Sequence, residues 1–310
     1  GGQIAGLIQV HNVDVDPSLN GDARYYVEGH YVTADDAAAG NANNNASYQR
    51  ATIVSAPTFP EDSCSGTDPQ KFCVTLTDFT HDTLAGIRAW KDNDPSVVET
   101  DAQVPGEGLF ILSARVSNLG TGFWHYEYAL HNLNSDRSGK SFTIPIAIGA
   151  SVINVGFHDV EYHSGEPYDN TDWQISLLSG KIVWSGQDYS ANTNANALRW
   201  GTLYNFRFDS NAPPCTPSNN PPCNTTAVLD LFKPGAPDKI NISTIGPTVG
   251  FIDCNGNGGA DACDVDCGGV GCSQPCGTSD DCNNNIVPDE CETDCNENGI
   301  PDACDISGGT

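Results

Sequence analysis

The sequence predicts a mainly β chain: an antiparallel β-sandwich body, one large or two packed, followed by a disulfide-rich repeat tail with little regular structure. Three observations carry this expectation. Short runs rich in Val, Ile, Thr and aromatic residues recur between Gly, Asn, Asp and Pro turns over residues 1–248. Nine of the 13 cysteines lie in residues 249–310. That same tail holds 13 acidic residues and no Lys or Arg, while the other 27 acids and all 13 bases sit in the first 248 residues. The body is therefore 1–248 and the tail 249–310, with the boundary expected at a Gly246-Pro247 turn.

Along the body, strands are expected at Ile4–Val15, Arg24–Thr33, Phe72–Thr77, Leu109–Asn118, Trp124–His131 and Ser141–Ile148. They continue at Val152–Tyr162, Trp173–Leu178, Lys181–Trp184, Arg199–Phe208 and Ala227–Phe232. Each is a run of four to twelve residues bounded by turn formers, the spacing of an antiparallel sandwich. One helix is expected over Thr83–Lys91, stopped by the Asn93-Asp94-Pro95 turn, because Pro restricts the residue before it to extended backbone. Some 250 residues suffice to bury a sizeable core.

The formal charge of −27 repels phosphate backbones and anionic lipid, which excludes nucleic acid as a partner, and invites cations instead. No apolar run approaches the ~18 residues of a membrane span. The chain opens at Gly1 without an initiator Met or a signal peptide, which reads as the processed form of an exported protein.

In the tail, three twelve-residue segments align without gaps: DCNGNGGADACD from Asp253, DCNNNIVPDECE from Asp281 and DCNENGIPDACD from Asp294. Oxygen-bearing side chains recur at positions 1, 3, 5, 9 and 12, the spacing of a calcium loop. A hard cation of that size takes six to eight oxygens, and short Asp and Asn side chains can crowd them into one turn. The candidate ligands are Asp253, Asn255, Asn257, Asp261 and Asp264; Asp281, Asn283, Asn285, Asp289 and Glu292; and Asp294, Asn296, Asn298, Asp302 and Asp305. The position-7 carbonyls of Gly259, Val287 and Ile300 would complete each set. Position 6 calls for a sharp turn, which Gly258 and Gly299 suit and Ile286 does not. Three such ions would move the formal charge from −27 to −21. A fourth unit from Asp266 keeps Cys267 and Cys276 but lacks the oxygen ligands, so no ion is expected there.

Unit starts at 253, 266, 281 and 294 leave no room for helices between the loops, which argues against EF-hands and dockerin modules. The segment resembles thrombospondin type 3 repeats over about 53 residues, departing from them in its Asn at positions 3 and 5. That resemblance implies calcium-dependent rigidity in an extracellular protein and no catalysis. In the body, WHYEYALHN, GFHDVEYHSGEPYD and NALRWGTLYNFRF resemble stretches of uncharacterised secreted bacterial β-rich proteins, which implies export and a β fold.

Cysteine spacings of nine recur at Cys254/Cys263, Cys267/Cys276, Cys282/Cys291, Cys295/Cys304 and Cys64/Cys73, with Cys215/Cys223 at eight. Pairing within units is the simplest reading, leaving Cys272 over, and pairing between neighbouring units stays open. So many disulfides imply an oxidising, extracellular or cell-surface location. Zinc is the competing reading of the C-x3-C and C-x8-C spacings, but hard oxygen donors suit calcium.

The body offers three further candidates. His158, Asp159, Glu161, His163 and Glu166 could bind a metal or act as acid and base, against a structural cluster near a loop. Asp14, Asp16, Asn20 and Asp22 could form another calcium site or an Asx turn. Five Trp could stack on sugars or fill a core. Sequons at Asn45, Asn224 and Asn241 are glycan acceptors by pattern. No nucleophile elbow, zincin motif, P-loop or dinucleotide fingerprint is present in the sequence. The sequence therefore points to a non-catalytic, calcium-stabilised structural protein outside the cell. Its apolar IAGLIQVHNV segment is expected to pair with the sheet edge of another copy and build a filament or surface layer. Attachment to cell-surface glycans and hydrolysis are the competing functions.

Overall fold

Strand pairing in the computed structural model follows the apolar alternation of the sequence and joins every strand to its neighbours antiparallel. The structure describes residues 10–55, 72–147, 149–162, 165–215 and 225–247, and in the tail 254–255, 257, 261–267, 272, 275–284, 287–296 and 298–308. Two units are formed, one from Gly1–Asp94 with Glu161–Asn170, the other from Pro95–Val160 with Thr171–Thr310.

The first unit contains α1 (Asn12–Val15), β1 (Tyr25–His30), α2 (Ala34–Ala38), β2 (Ala46–Ser55), β3 (Phe72–His81) and α3 (Arg88–Asn93). Its three strands form one sheet in the order β1-β2-β3. Ala46, Tyr48, Ala51 and Ile53 bury one face of β2, and Ala85, Ile87 and Ala89 are buried at the start of α3. Tyr48 stacks on His81 at 4.3 Å and donates its hydroxyl to Asp92 at 2.6 Å. The expected first strand is corrected here: Asn12–Val15 is helical, and residues 4–9 lie outside the described residues. Asp16 explains the turn that follows, since its carboxylate accepts the Ser18 N–H at 2.9 Å and hydroxyl at 2.7 Å, an alternative to a strand ladder.

The second unit holds β4 (Val98–Gln103), β5 (Leu109–Asn118), β6 (Trp124–Asn132), β7 (Gly139–Pro145), β8 (Val152–His158) and β9 (Gln174–Leu178). It continues with β10 (Lys181–Ser185), β11 (Leu203–Ser210), β12 (Pro214–Cys215), β13 (Thr225–Leu231), β14 (Lys239–Thr244) and β15 (Gly246–Pro247). Two five-stranded sheets, β4-β5-β6-β11-β8 and β14-β13-β7-β10-β9, make the sandwich. Alternate residues of facing strands fill it: Tyr126, Tyr128 and Leu130 of β6 and Tyr204, Phe206 and Phe208 of β11 lie opposite Phe142, Trp184 and Leu229 in one buried cluster. Phe206 bridges the sheets, with ring centroids 4.6 Å from Phe142 and 5.3 Å from Trp184. Burying each such side chain contributes about 1.5–3 kcal/mol. The tyrosines keep their polar tips satisfied, Tyr126 donating to Ala212 O at 2.6 Å and Tyr204 to Asn196 Oδ1 at 2.5 Å.

Some element boundaries move. β11 begins at Leu203 because Arg199–Thr202 closes a turn through Gly201, whose φ of 74° is left-handed. The strands β2, β4 and β14 had no sequence expectation. Gly246-Pro247 is a buried two-residue strand against β12 and not a turn. A Cβ at 246 would come within 2.8 Å of the Thr225 side chain, so glycine is required by close approach. The tail has little regular structure, with α4 (Asp261–Val265), a 3-10 turn at Asp289–Cys291 and α5 (Asp302–Gly308).

Candidate metal-binding loops

The three loops share one internal bonding scheme. In each, the position-9 carboxylate accepts the backbone N–H of the position-2 cysteine at 2.9 Å: Asp261 from Cys254, Asp289 from Cys282 and Asp302 from Cys295. Each helical turn starts at that Asp, preceded in the second and third loops by Pro288 and Pro301, where a missing N–H costs nothing. The carboxylate thus closes the loop over the turn that carries position 12.

The loop from Asp294 is described most fully. Asn296 and Asn298 both direct their side-chain amides to the Asp305 carboxylate at 2.9 Å. Gly299 N–H donates to Asp294 Oδ2 at 2.8 Å, and Ile300 N–H to Asn298 Oδ1 at 2.8 Å. Gly299 has φ 84° and a Cβ there would meet nothing within 4 Å, so the backbone angle, not space, selects glycine. Positions 3 and 5 therefore meet position 12, while position 1 holds the backbone of positions 5 and 6. In the first loop Asn255 and Asn257 likewise reach Asp264, at 3.3 and 2.8 Å. In the second, Asn283 reaches both oxygens of Glu292, at 3.1 and 2.9 Å. Asp253, Gly259, Asn285 and the turn residues Gly258 and Ile286 lie outside the described residues.

The donor chemistry fits a hard cation. Positions 9 and 12 are carboxylates, hard oxygen donors, and each Asn that meets position 12 does so through its amide N–H with an oxygen on the same group. Two sets combining the position-9 Asp with sulfur, Cys254–Asp261–Cys291 and Cys282–Asp289–Cys304, have their ligand atoms within 4.8 Å. Their cysteines are disulfide-bonded, so they have no thiolate to offer a soft metal.

The disulfides correct the expected map. Among the described residues, Cys267–Cys276 is the one bond that within-unit pairing predicted. Cys254 bonds Cys291 and Cys282 bonds Cys304, so position 2 of one loop is tied to position 11 of the next complete loop. Cys263 takes Cys272, which is not left over, and Cys295 is the free, exposed thiol. Cys73 and Cys215 are disulfide-bonded, and their expected partners Cys64 and Cys223 lie outside the described residues. The loops are coupled by hydrogen bonds as well: Glu290 accepts from Ser279 at 2.6 Å and from Asn255 at 3.0 Å. The Ser279 bond, chiefly, holds the Glu290 carboxyl below its ordinary value. Asp302 is lowered by its bonds to Cys295, and the Cys295 thiol is raised by the same carboxylate.

The body candidates are used locally. His158 ends β8 in register with Asn205, and half-buried Asp159 accepts from the Asn196 amide, its carboxyl raised by burial. Glu161 faces His11 at 2.5 Å, Glu166 is exposed and His163 lies outside the described residues. The Asp16 carboxylate accepts the Ser18 N–H at 2.9 Å, an Asx turn, and Asn20 closes the stretch by donating to Val13 O at 2.6 Å and Asp16 O at 3.2 Å. Of the Trp residues, Trp173 and Trp184 are core and Trp200 is 46% exposed. One further feature has no signal in the sequence: a cleft of about 420 Å³ at the β6–β7, β10–β11 and β13–β14 connections, lined by residues far apart in the chain. No helix among the described residues is long and apolar enough to cross a membrane.

No family model matches the chain, and no curated protein matches it. Solved structures that resemble it include a GH20 exo-β-N-acetylglucosaminidase from Vibrio harveyi in complex with N-acetylglucosamine, and an inactive mutant of that enzyme. Each is 13% identical with a TM-score of 0.26, over 43% of this chain. The chain spans 17% of the length of those enzymes, and a likeness of this size bears on neither activity nor substrate.

Proposed function

We propose that this chain is a non-catalytic structural protein of the cell surface or extracellular matrix, its tail made rigid by calcium and by disulfides. The observation that carries this reading is the common bonding of the three loops, in which positions 3 and 12 meet each time and position 9 fastens position 2. Asp and Asn side chains gathered in a loop of twelve residues can supply the oxygens a calcium ion requires, and the ion would relieve the repulsion among the loop carboxylates. Affinity is expected on the order of 10⁻⁴–10⁻³ M, the extracellular grade. Bonds from Cys254 to Cys291 and from Cys282 to Cys304 then link successive loops, which supports a rod-like stiffening role and an oxidising location.

Self-assembly into a filament or surface layer belongs to the same reading. It draws on the apolar segment IAGLIQVHNV and on β3, an edge strand bearing Val74, Leu76 and Phe79 at 56, 52 and 66% exposure. Uncovered apolar edge strands template pairing with another chain. Calorimetry with calcium, and electron microscopy with and without a chelator, test the two halves separately. Absence of calcium uptake removes the first half; monodisperse monomers under both conditions remove the second.

A further inference from the structure

The cleft in the sandwich unit goes beyond this structural reading. Three of the chain's 13 bases line it, Arg137, Lys140 and Lys233, together with three carboxylates, Asp188, Asp230 and Asp238. In a chain of formal charge −27 this wall is electrically balanced. Lys140 pairs with Asp188, and Lys233 reaches out to Asp136 at 2.6 Å. Arg137 is held by carbonyls alone, donating Nε and Nη2 to Lys233 O at 3.1 and 3.0 Å and Nη1 to Pro237 O at 2.6 Å. Among the described residues its guanidinium bonds no carboxylate, and the fork of five N–H donors keeps donors to spare.

The floor is built firmly. A Cβ on Gly235 would sit 2.9 Å from the Arg137 guanidinium, so the glycine lets the cation lie against the turn. Just past β13, Phe232 N–H donates to Ser138 O at 3.0 Å and Lys233 N–H to Arg137 O at 2.9 Å, tying this segment to the β6–β7 connection. Buried Phe232 is capped by Tyr189 edge-on at 5.3 Å and by Arg199 at 4.5 Å, leaving half-buried Tyr189 as an aromatic wall of the cleft.

The geometry points to a binding site for a neutral saccharide. An anion would meet three carboxylates here and a cation three bases. A sugar hydroxyl both donates and accepts, so alternating cationic donors and carboxylate acceptors beside an aromatic wall match its chemistry. The volume lies within the ~300–1,000 Å³ of ligand pockets.

The test is ligand-detected NMR and calorimetry on the full, disulfide-bonded chain, with and without chelator. The probes are glucose, galactose, mannose, xylose and N-acetylglucosamine, with galacturonate and glucosamine as charged controls. At least one neutral sugar is expected to bind saturably and independently of calcium. Asp230→Asn and Lys140→Gln should each weaken it about tenfold, the loss of one charge-assisted hydrogen bond, while Asp35→Asn in the other unit leaves it unchanged. Circular dichroism of both variants checks that they fold. No binding by any neutral sugar, binding by a charged control alone, or binding untouched by both variants overturns the proposal. Sugar binding that disappears with chelator overturns it as well, whereas a tail that takes up no calcium leaves it standing, so the two failures are separable.

Discussion

The Asp302 carboxylate accepts the backbone N–H of Cys295 at 2.9 Å, and this relation recurs between Asp289 and Cys282 and between Asp261 and Cys254. Position 9 therefore acts on the loop entry, while position 12 gathers the amides of positions 3 and 5 in the loop from Asp294. The two acids should respond differently to substitution. Asp305→Asn is expected to reduce calcium uptake by one ion in calorimetry, because ligand charge sets affinity. Asp302→Ala is expected to keep that ion but weaken it and to raise hydrogen exchange at the Cys295 amide. Equal effects from both would contradict this division.

Chelation should loosen the tail and leave the sandwich intact. Hydrogen exchange is expected to rise across 261–308 without calcium, while amides of β5, β6 and β11 stay protected by the aromatic core. Deprotection of both regions together would mean that the tail supports the body.

Peptide mapping of the unreduced protein should recover Cys254–Cys291 and Cys282–Cys304 and no Cys282–Cys291 peptide. Cys295 is expected to alkylate without reduction, and slowly at neutral pH because Asp302 raises its thiol. Cys282→Ser should cost about 2–4 kcal/mol of tail stability.

Phe206→Ala should destabilise the sandwich by about 3–5 kcal/mol in denaturant titration, since the ring is fully buried between Phe142, Phe157, Trp173 and Trp184. A loss under 1 kcal/mol would place the core elsewhere.

His11 and Glu161 give the first unit a pH dependence. The Glu161 carboxylate raises the His11 pKa, so the folded state binds this proton more tightly than the unfolded chain does. Stability from the pair is full below the unfolded value of about 6.5 and is lost as pH rises through the higher folded value. An NMR titration should show His11 above its ordinary value, and Glu161→Gln should bring it down; no change on substitution would discard the pair.

Much of the β framework is legible in the chain because alternation has a period of two wherever one face is buried. Leu109–Asn118 coincides with β5 for that reason. The signal fails where both faces are mixed, as in β2 with its bulge between Tyr48 and Arg50, and at Asn12–Val15, where the Asp16 turn outweighs the apolar run. In the tail, the spacing of Asp and Asn marked residues that bond one another in the loops, since contacts within twelve residues are a local property. Cysteine pairing misled because a spacing of nine recurs within units, whereas bonding depends on which Cβ atoms the stacked loops bring within reach.

The sequence by itself determined the class of fold, the repeat of Asp and Asn in the loops and the acid-rich character of residues 249–310, all consequences of local period and composition. Tertiary structure alone decided the union of Cys282 with Cys304, the burial of Gly246-Pro247 and the meeting of Arg137 with Asp230 in one cleft. The physical reason is distance along the chain. Arg137 and Asp230 are separated by most of the sandwich, and only the pairing of β7 with β13 brings them together.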